Sequence, residues 1–295
     1  KSALRSYREL PIRLFELGTV YRHERAGVLH GLLRVRGFTQ DDAHIFCQPE
    51  QLKEEIKKVV DFVFSAMRDF GFNDVSIELS TRPKDSIGTD DDWQKATSAL
   101  EDSLKEKGLA YDINEGDGAF YGPKIDIKLK DALKRKWQCA TIQCDFALPG
   151  RFDLKYVDNE GKERQPVMLH RVILGSLERF LGALVEHYAG AFPLWLAPAQ
   201  VMVIPIRKED EGYAGGIKEK LLAEGIRVDL DAGNETLTKR IRNAELAKYP
   251  YIIVAGQKEA QAQKIAVRKR GTGDLGQMGT DEFIARMRQE IESRL

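Results

Sequence analysis

Hydrophobic and polar residues alternate along this chain with two different periods, and the period separates helix from strand. In QLKEEIKKVVDFVFSAMRDF, residues 51–70, Ile56, Val59, Val60, Phe62, Val63 and Met67 fall near helical spacing with charges between them, which predicts an amphipathic helix. Residues 75–80 alternate as a strand, 93–107 return to the helical period, and Gly108 stops that helix. Segments 111–114, 124–129, 137–146 and 151–157 follow as short strands separated by Gly, Pro and Asp turns, a pattern suited to an antiparallel meander. Leu177, Phe180, Leu181, Leu184 and Tyr188 recur at three and four residues, so 176–188 reads as a helix that Gly175 and Ser176 open.

The pattern changes at Pro193, Pro198 and Pro205. Beyond them VMVIPI, RVDL and YIIVAG alternate with helical segments 211–224 and 236–248, followed by the strand KIAVRKR, a hairpin GTGDLG and a helix from about 280 to 294. Two domains are expected. The first, 1–195, is an α+β domain built on an antiparallel sheet; the second, 199–295, is an α/β domain with a mixed sheet.

One stretch, RHERAGVLHGLLRVRGFTQDDAHIF at 22–46, alternates in chemistry as well as hydrophobicity. Arg34, Arg36, Phe38, Gln40, Asp42 and His44 share one strand parity, whereas Leu33, Val35, Gly37, Thr39, Asp41, Ala43 and Ile45 share the other. One face is suited to packing and the other to binding. At ~3.3 Å per residue, each four-residue step along this row spans about 13 Å, the scale of an extended nucleotide beside a small substrate.

Composition narrows the classes. The 295 residues are 42% hydrophobic and 31% charged, enough for one large core or two ordinary ones. Lys plus Arg and Asp plus Glu both count 46, so the net charge of +0 gives no whole-molecule attraction to polyanions, and any such contact is local. Cys47, Cys139 and Cys144 are odd in number and lack C-x-x-C spacing, which argues for a reducing compartment, the cytoplasm. No apolar run is long enough to span a membrane, and the amino terminus, without Met or a signal peptide, reads as that of a fragment.

Several side chains carry chemistry. Arg22, Arg34 and Arg179 are candidates to grip phosphate, because each guanidinium keeps its charge and offers a fork of donors, although a lone arginine is usually a surface ion-pair partner. Phe38 is placed to stack on a base or to fill core. His44 and His170 each end a strand-like run, and neutral imidazole is a common zinc ligand, but two histidines require a third donor. Tyr121, Lys124 and Gln143 add hydrogen-bonding groups near Gly118 and Gly122. Cys139 belongs more easily to a mixed strand face with Thr141, Gln143 and Asp145 than to a metal site. Neither a P-loop, a Rossmann fingerprint, an H-E-x-x-H helix nor a G-x-S-x-G elbow is present. In the second domain Lys264, Arg268 and Arg270, with Lys269 adjacent, form a basic strip able to meet RNA or to guard a solvated strand edge.

GTVYRHE, LHGLLRVRGFTQDDAHIF, WQCATIQCDF, PGRFDLKYV and LHRVILGSLERF together resemble the threonyl-tRNA synthetases, a family of class II aminoacyl-tRNA synthetases, nearly from end to end. The resemblance implies a threonine–tRNA ligase whose ATP site holds Arg22, Glu24, Arg34, Phe38, Gln138 and Arg179, with Mg2+ accompanying the nucleotide. Gln40, Asp42, Tyr121 and Gln143 are then expected around L-threonine, and His44 and His170 as two of three protein ligands to Zn2+. The family's third ligand is a cysteine upstream of the first residue here, as is the first class II motif, which builds much of the family's homodimer interface. Asn234, Glu259 and Arg268 match anticodon-contacting positions, making tRNA(Thr) the implied partner. A non-catalytic synthetase-like RNA- or protein-binding module and a prolyl or seryl enzyme are the competing expectations.

Overall fold

The computed structural model describes residues 1–130 and 134–294, so only the final position of the expected 199–295 domain lies outside it there. The chain divides into two compact units, Lys1–His187 and Tyr188–Leu295.

The first unit runs β1 (Arg5–Ser6), β2 (Ile12–Tyr21), β3 (Gly37–Cys47), α1 (Leu52–Asp69), β4 (Val75–Ser80), α2 (Asp90–Glu106), β5 (Asp112–Asn114), β6 (Lys124–Lys130), β7 (Lys136–Asp145), α3 (Ala147–Arg151), β8 (Tyr156–Val157), β9 (Glu163–Arg164), β10 (Val167–Ser176) and α4 (Leu177–His187). Its main sheet has the order β2-β3-β10-β7-β6-β4-β5, antiparallel throughout except for the parallel β4–β5 pair. The α+β expectation is met, but the sheet is not a simple meander. β10, late in sequence, inserts between β3 and β7, where its buried Val167, Met168, Leu169 and Ile173 suit a strand covered on both sides.

Local chemistry explains the boundaries. α2 starts at Asp90, earlier than the apolar period indicates, because Thr89 and Asp92 form a reciprocal capping box. The segment expected to be a strand from 151 onward instead leaves a helix: Asp145 accepts from the Ala147 and Leu148 N–H groups at 2.8 and 2.9 Å and nucleates α3, so the strand shrinks to Tyr156–Val157. α1 buries Ile56, Val59, Val60, Val63 and Met67 toward the sheet; Phe62 falls outside that stripe and stays exposed.

The second unit runs β11 (Val201–Pro205), α5 (Glu211–Ala223), β12 (Val228–Leu230), α6 (Leu237–Leu246), β13 (Tyr251–Ala255), α7 (Gln257–Ala262), β14 (Ile265–Lys269), β15 (Gly273–Met278) and α8 (Thr280–Glu292). The sheet order is β12-β11-β13-β14-β15, with the first three strands parallel and the last two joined antiparallel, a mixed sheet as expected. Val201, Val203, Ile217, Leu221, Ile253 and Phe283 form the core on one face. Ile204, Ala244 and Ile252 pack α6 on the other. α7 escapes sequence reading because six residues, QKEAQA, are too few to show a helical period.

Candidate active site and anticodon face

Strand register gathers distant residues of the first unit into one floor. His44 lies opposite His170, His170 opposite Gln143, and Gln143 opposite Lys124, so a polar row crosses β3, β10, β7 and β6. One row away, Asp42, Val172, Thr141 and Asp126 are aligned in the same manner. Above this floor is a cavity of about 320 Å³, and Gln40 and Asp42 are among the residues that line it. The opposite parity of β3, at Asp41, Ala43, Ile45 and Cys47, is buried.

The expected alternation holds only from the start of β3. Arg34 and Arg36 precede the strand in a loop closed by a His30–Arg34 bridge and by the Arg22 N–H to the Arg36 carbonyl at 2.8 Å, so the step from Arg34 to Phe38 is not an extended 13 Å one. Phe38 is itself buried, with the Arg22 guanidinium 5.2 Å from its ring centroid.

Three guanidiniums crowd one end of the cavity. Arg34 donates through two nitrogens to Glu24 at 3.1 and 2.9 Å. Arg179 donates to the Leu33 carbonyl at 2.8 Å and the Gln138 carbonyl at 3.2 Å. Burial, followed by the neighbouring charge of Arg34, holds the Arg179 pKa below its ordinary value. Against three cations the cavity wall offers the Glu24 carboxylate at this end, an imbalance that suits a multiply charged anion. Gln138 reaches the same wall because a bulge between Ile127 and Lys128 shifts the register of β6 against β7. Its amide donates to Asp126 at 2.6 Å and to the Thr141 hydroxyl at 2.8 Å.

Away from the guanidiniums the cavity is lined by further polar side chains, Gln40, Asp42, Tyr121, Gln143 and His170. The His44 and His170 rings are 4.7 Å apart edge to face, and His170 Nε2 meets the fully buried Asp145 carboxylate at 2.9 Å. Burial and then the His170 charge push the His44 pKa down, against the pull of Asp42 and Asp145. That favours neutral imidazole, the metal-binding form. The Tyr121 hydroxyl donates to the Gln143 side-chain carbonyl, and its pKa is pushed up to about 12 by burial first and Asp145 second. Lys124 sits between Asp126 at 2.8 Å and Asp117 at 3.2 Å. The two imidazoles and the Asp145 brace fit part of a zinc site, while the described residues contain no cluster of three metal-binding side chains. Cys139 and Cys144 are buried free thiols whose pKa values burial raises.

Parity alone assigned Asp41 to the packing face and gave it no role. It is in fact buried at 6% exposure and accepts hydrogen bonds from the N–H groups of Ile173, Leu174 and Gly175 at 2.9, 3.0 and 3.2 Å. Burial raises its pKa, and the Ile173 and Leu174 N–H groups and Arg171 oppose the rise. A charged residue in an otherwise apolar strand parity was the available signal. Asp145 and Glu178 were missed as well; Glu178 accepts from the Thr39 N–H at 2.9 and 3.0 Å and so ties α4 to β3.

The basic strip of the second unit is less free than its sequence indicates. Arg270 donates to the carbonyls of Lys248, Ala191 and Phe192, and Lys269 pairs with Glu290 at 2.9 Å. Arg268 is partly exposed and 3.6 Å from Glu245. Asn234 is exposed in the loop after β12. Glu259 is buried, accepting from the Gly256 N–H at 3.1 Å and the Gln277 amide at 2.6 Å.

Comparison with known proteins agrees with this division. Residues 1–188 match the tRNA synthetase class II core domain (G, H, P, S and T), and 200–290 match an anticodon binding domain. The threonine–tRNA ligase of Citrifermentans bemidjiense is 59% identical over 293 residues, which are 99% of this chain and 46% of that protein. The chain thus spans about half the length of the curated relatives it matches. The solved RNA binding domain of threonyl-tRNA synthetase from Cryptosporidium parvum Iowa II is 44% identical with a TM-score of 0.93, covering 97% of this chain and 72% of that one. The putative threonyl-tRNA synthetase of Aeropyrum pernix is 31% identical with a TM-score of 0.80, covering 97% and 69%.

Proposed function

Because this chain belongs to the class II aminoacyl-tRNA synthetases, among the threonyl-tRNA synthetases, we propose that it carries the catalytic core and anticodon-binding part of a threonine–tRNA ligase. The observation that carries this reading is the convergence of Arg22, Arg34 and Arg179 on one cavity that His170 also lines, with His44 packed edge to face against the His170 ring outside the cavity lining. Mg-ATP binds with Phe38 against the adenine, Glu24 at its edge and Gln138 on the facing wall. Arg22 holds the α-phosphate, while Arg34 and Arg179 hold the outer phosphates. For that, Arg34 exchanges its Glu24 partner for phosphate and Arg22 leaves the ring face of Phe38.

Gln40, Asp42, Tyr121 and Gln143 surround L-threonine, whose carboxylate oxygen attacks the α-phosphorus as the bond to pyrophosphate breaks. Threonyl-adenylate then gives its acyl group to a ribose hydroxyl at the end of tRNA(Thr), releasing AMP. Placement and charge neutralisation supply most of the acceleration. Zinc, when bound by His44, His170 and a third donor, would offer ligand positions to the threonine amino and hydroxyl groups and so discriminate against valine. Asn234, Glu259 and Arg268 face anticodon bases, and Glu259 also accepts from the Gly256 N–H at the start of α7.

A homodimer is supported by β2, an edge strand that leaves Leu14, Phe15, Leu17 and Tyr21 exposed. The cytoplasm is supported by three buried unpaired thiols; among the described residues, no helix is long and apolar enough to cross a membrane. ATP–pyrophosphate exchange tests the reading, run with threonine, serine, valine and proline on this chain and on one extended at its amino terminus. Threonine-dependent exchange is expected. Its absence from both would leave a non-catalytic module, and exchange with proline or serine alone would move the chain to another specificity.

A further inference from the structure

We infer that Asp41 is a positioning residue for the nucleotide site, aiming Arg179 by holding the bulge at the end of β10; the inference rests on the ATP-binding reading above. Between Val172, opposite Asp42, and Ser176, opposite Gln40, β10 contains two more residues than the facing stretch of β3. A distortion of that size takes its N–H groups out of the ladder, and each must find another acceptor. The Asp41 carboxylate accepts three of them in succession, Ile173, Leu174 and Gly175, at 2.9, 3.0 and 3.2 Å. On the carbonyl side, the Cys139 thiol lies 3.4 and 3.2 Å from the oxygens of Ile173 and Leu174.

The bulge has no slack. Gly175 has φ +76°, and a Cβ there would sit 2.8 Å from the Cys139 carbonyl oxygen. Ser176 follows at once and caps α4, its hydroxyl accepting from the Arg179 N–H at 3.2 Å. Arg179 therefore projects from the first turn of a helix whose start is fixed by the bulge, and among the described residues one carboxylate, that of Asp41, holds the bulge's N–H groups. Arg171 stands 3.6 Å from that carboxylate and donates to the Asp41 carbonyl at 3.3 Å, so the anchor is braced from β10 itself. Asp41 does not line the cavity, which is why its effect on nucleotide passes through Arg179.

The prediction separates positioning from general support. Arg179 is assigned to the outer phosphates, so displacing it should weaken ATP and spare AMP. Binding of Mg-ATP and of AMP to the whole chain is measured by titration calorimetry for wild type, Asp41→Asn, Asp41→Glu, Arg179→Ala and the Asp41→Asn, Arg179→Ala double variant. Asp41→Asn should reduce the ATP-to-AMP affinity ratio by roughly tenfold or more, with faster amide exchange at 173–175, and add nothing to the loss caused by Arg179→Ala. An unchanged ratio in folded Asp41→Asn overturns the inference, as does equal weakening of ATP and AMP. If the asparagine variant does not fold, Asp41→Glu, which keeps the charge but displaces the carboxylate, decides by the same ratio. A wild-type chain that binds neither nucleotide removes the ATP-site reading and this inference with it, whereas wild-type preference for ATP with an unaltered variant ratio removes the inference alone.

Discussion

The two units use arginine differently, although Arg179 of the first also donates to two backbone carbonyls. In the first, Arg22, Arg34 and Arg179 are drawn to one cavity with a single carboxylate, Glu24, among them, and Arg179 has its pKa lowered by burial and by Arg34. In the second, Arg240 and Arg270 are consumed by backbone: Arg240, 5% exposed, donates to the carbonyls of Pro205 (2.9 Å) and Asp231, and Arg270 donates to three carbonyls. Like charges held together without enough counter-charge indicate a place prepared for an anion. Cations saturated by carbonyls indicate chain ends and loops being tied down. Equal density of basic residues in two sequences thus has different meanings, decided by what surrounds them.

The strongest way to break this contrast is Arg22→Ala. Loss of the donor proposed for the reacting phosphate should lower threonine-dependent pyrophosphate exchange roughly a hundred- to thousandfold with little change in melting temperature. A fall in stability with exchange preserved would make Arg22 structural, like its counterparts in the second unit. Next in size, Arg240→Met should cost about 2 to 3 kcal/mol, because buried carbonyl oxygens lose their donors. Urea unfolding followed in the second unit measures this, and a neutral result would show that the guanidinium is dispensable there.

Arg268→Ala distinguishes the outward cation from those tied to backbone. Binding of an anticodon stem-loop RNA should weaken by about 1 to 2 kcal/mol with relaxed base preference, whereas Arg270→Ala should alter stability more than RNA selectivity. Competition between matched and mismatched stem-loops at two salt concentrations makes the distinction. The smallest effect concerns pH. Burial, then Glu55, pushes the Cys47 thiol up to about 12 from an unfolded value near 9.0. A raised pKa contributes stability fully below the unfolded value and loses it as pH rises toward the folded one. Cys47 alone should therefore cost the first unit roughly 1 kcal/mol by pH 10, beside like contributions from buried Cys139 and Cys144, and Cys47→Ala should remove about a third of the slope. Amide exchange resolved by unit tests it, with the thiol-free second unit as internal reference.

How much was legible depended on range. Period and punctuation placed α1, α4 and most strands, the α+β unit followed by a mixed-sheet α/β unit, and the parity of Gln40, Asp42 and His44. Those are properties of neighbours in sequence, enforced by side-chain geometry repeated every two or 3.6 residues. What failed did so where the backbone departs from its period. The loop before β3 removed Arg34 from the strand row, and the β6–β7 bulge brought Gln138 into the cavity. The hydrogen bonds from the Ala147 and Leu148 N–H groups to Asp145 started α3, which ends at Arg151 and left only Tyr156–Val157 of the expected 151–157 strand.

The sequence alone determined which residues could do chemistry and on which face of a strand most of them stand, because a residue's own type and spacing decide both. Tertiary structure decided which of them meet: β10, more than a hundred residues after β3, supplied His170 beside His44, and its bulge turned Asp41 from packing into an anchor. Register between strands distant in sequence is set by burial on the whole sheet, and buried N–H groups take whatever acceptor that register brings within reach.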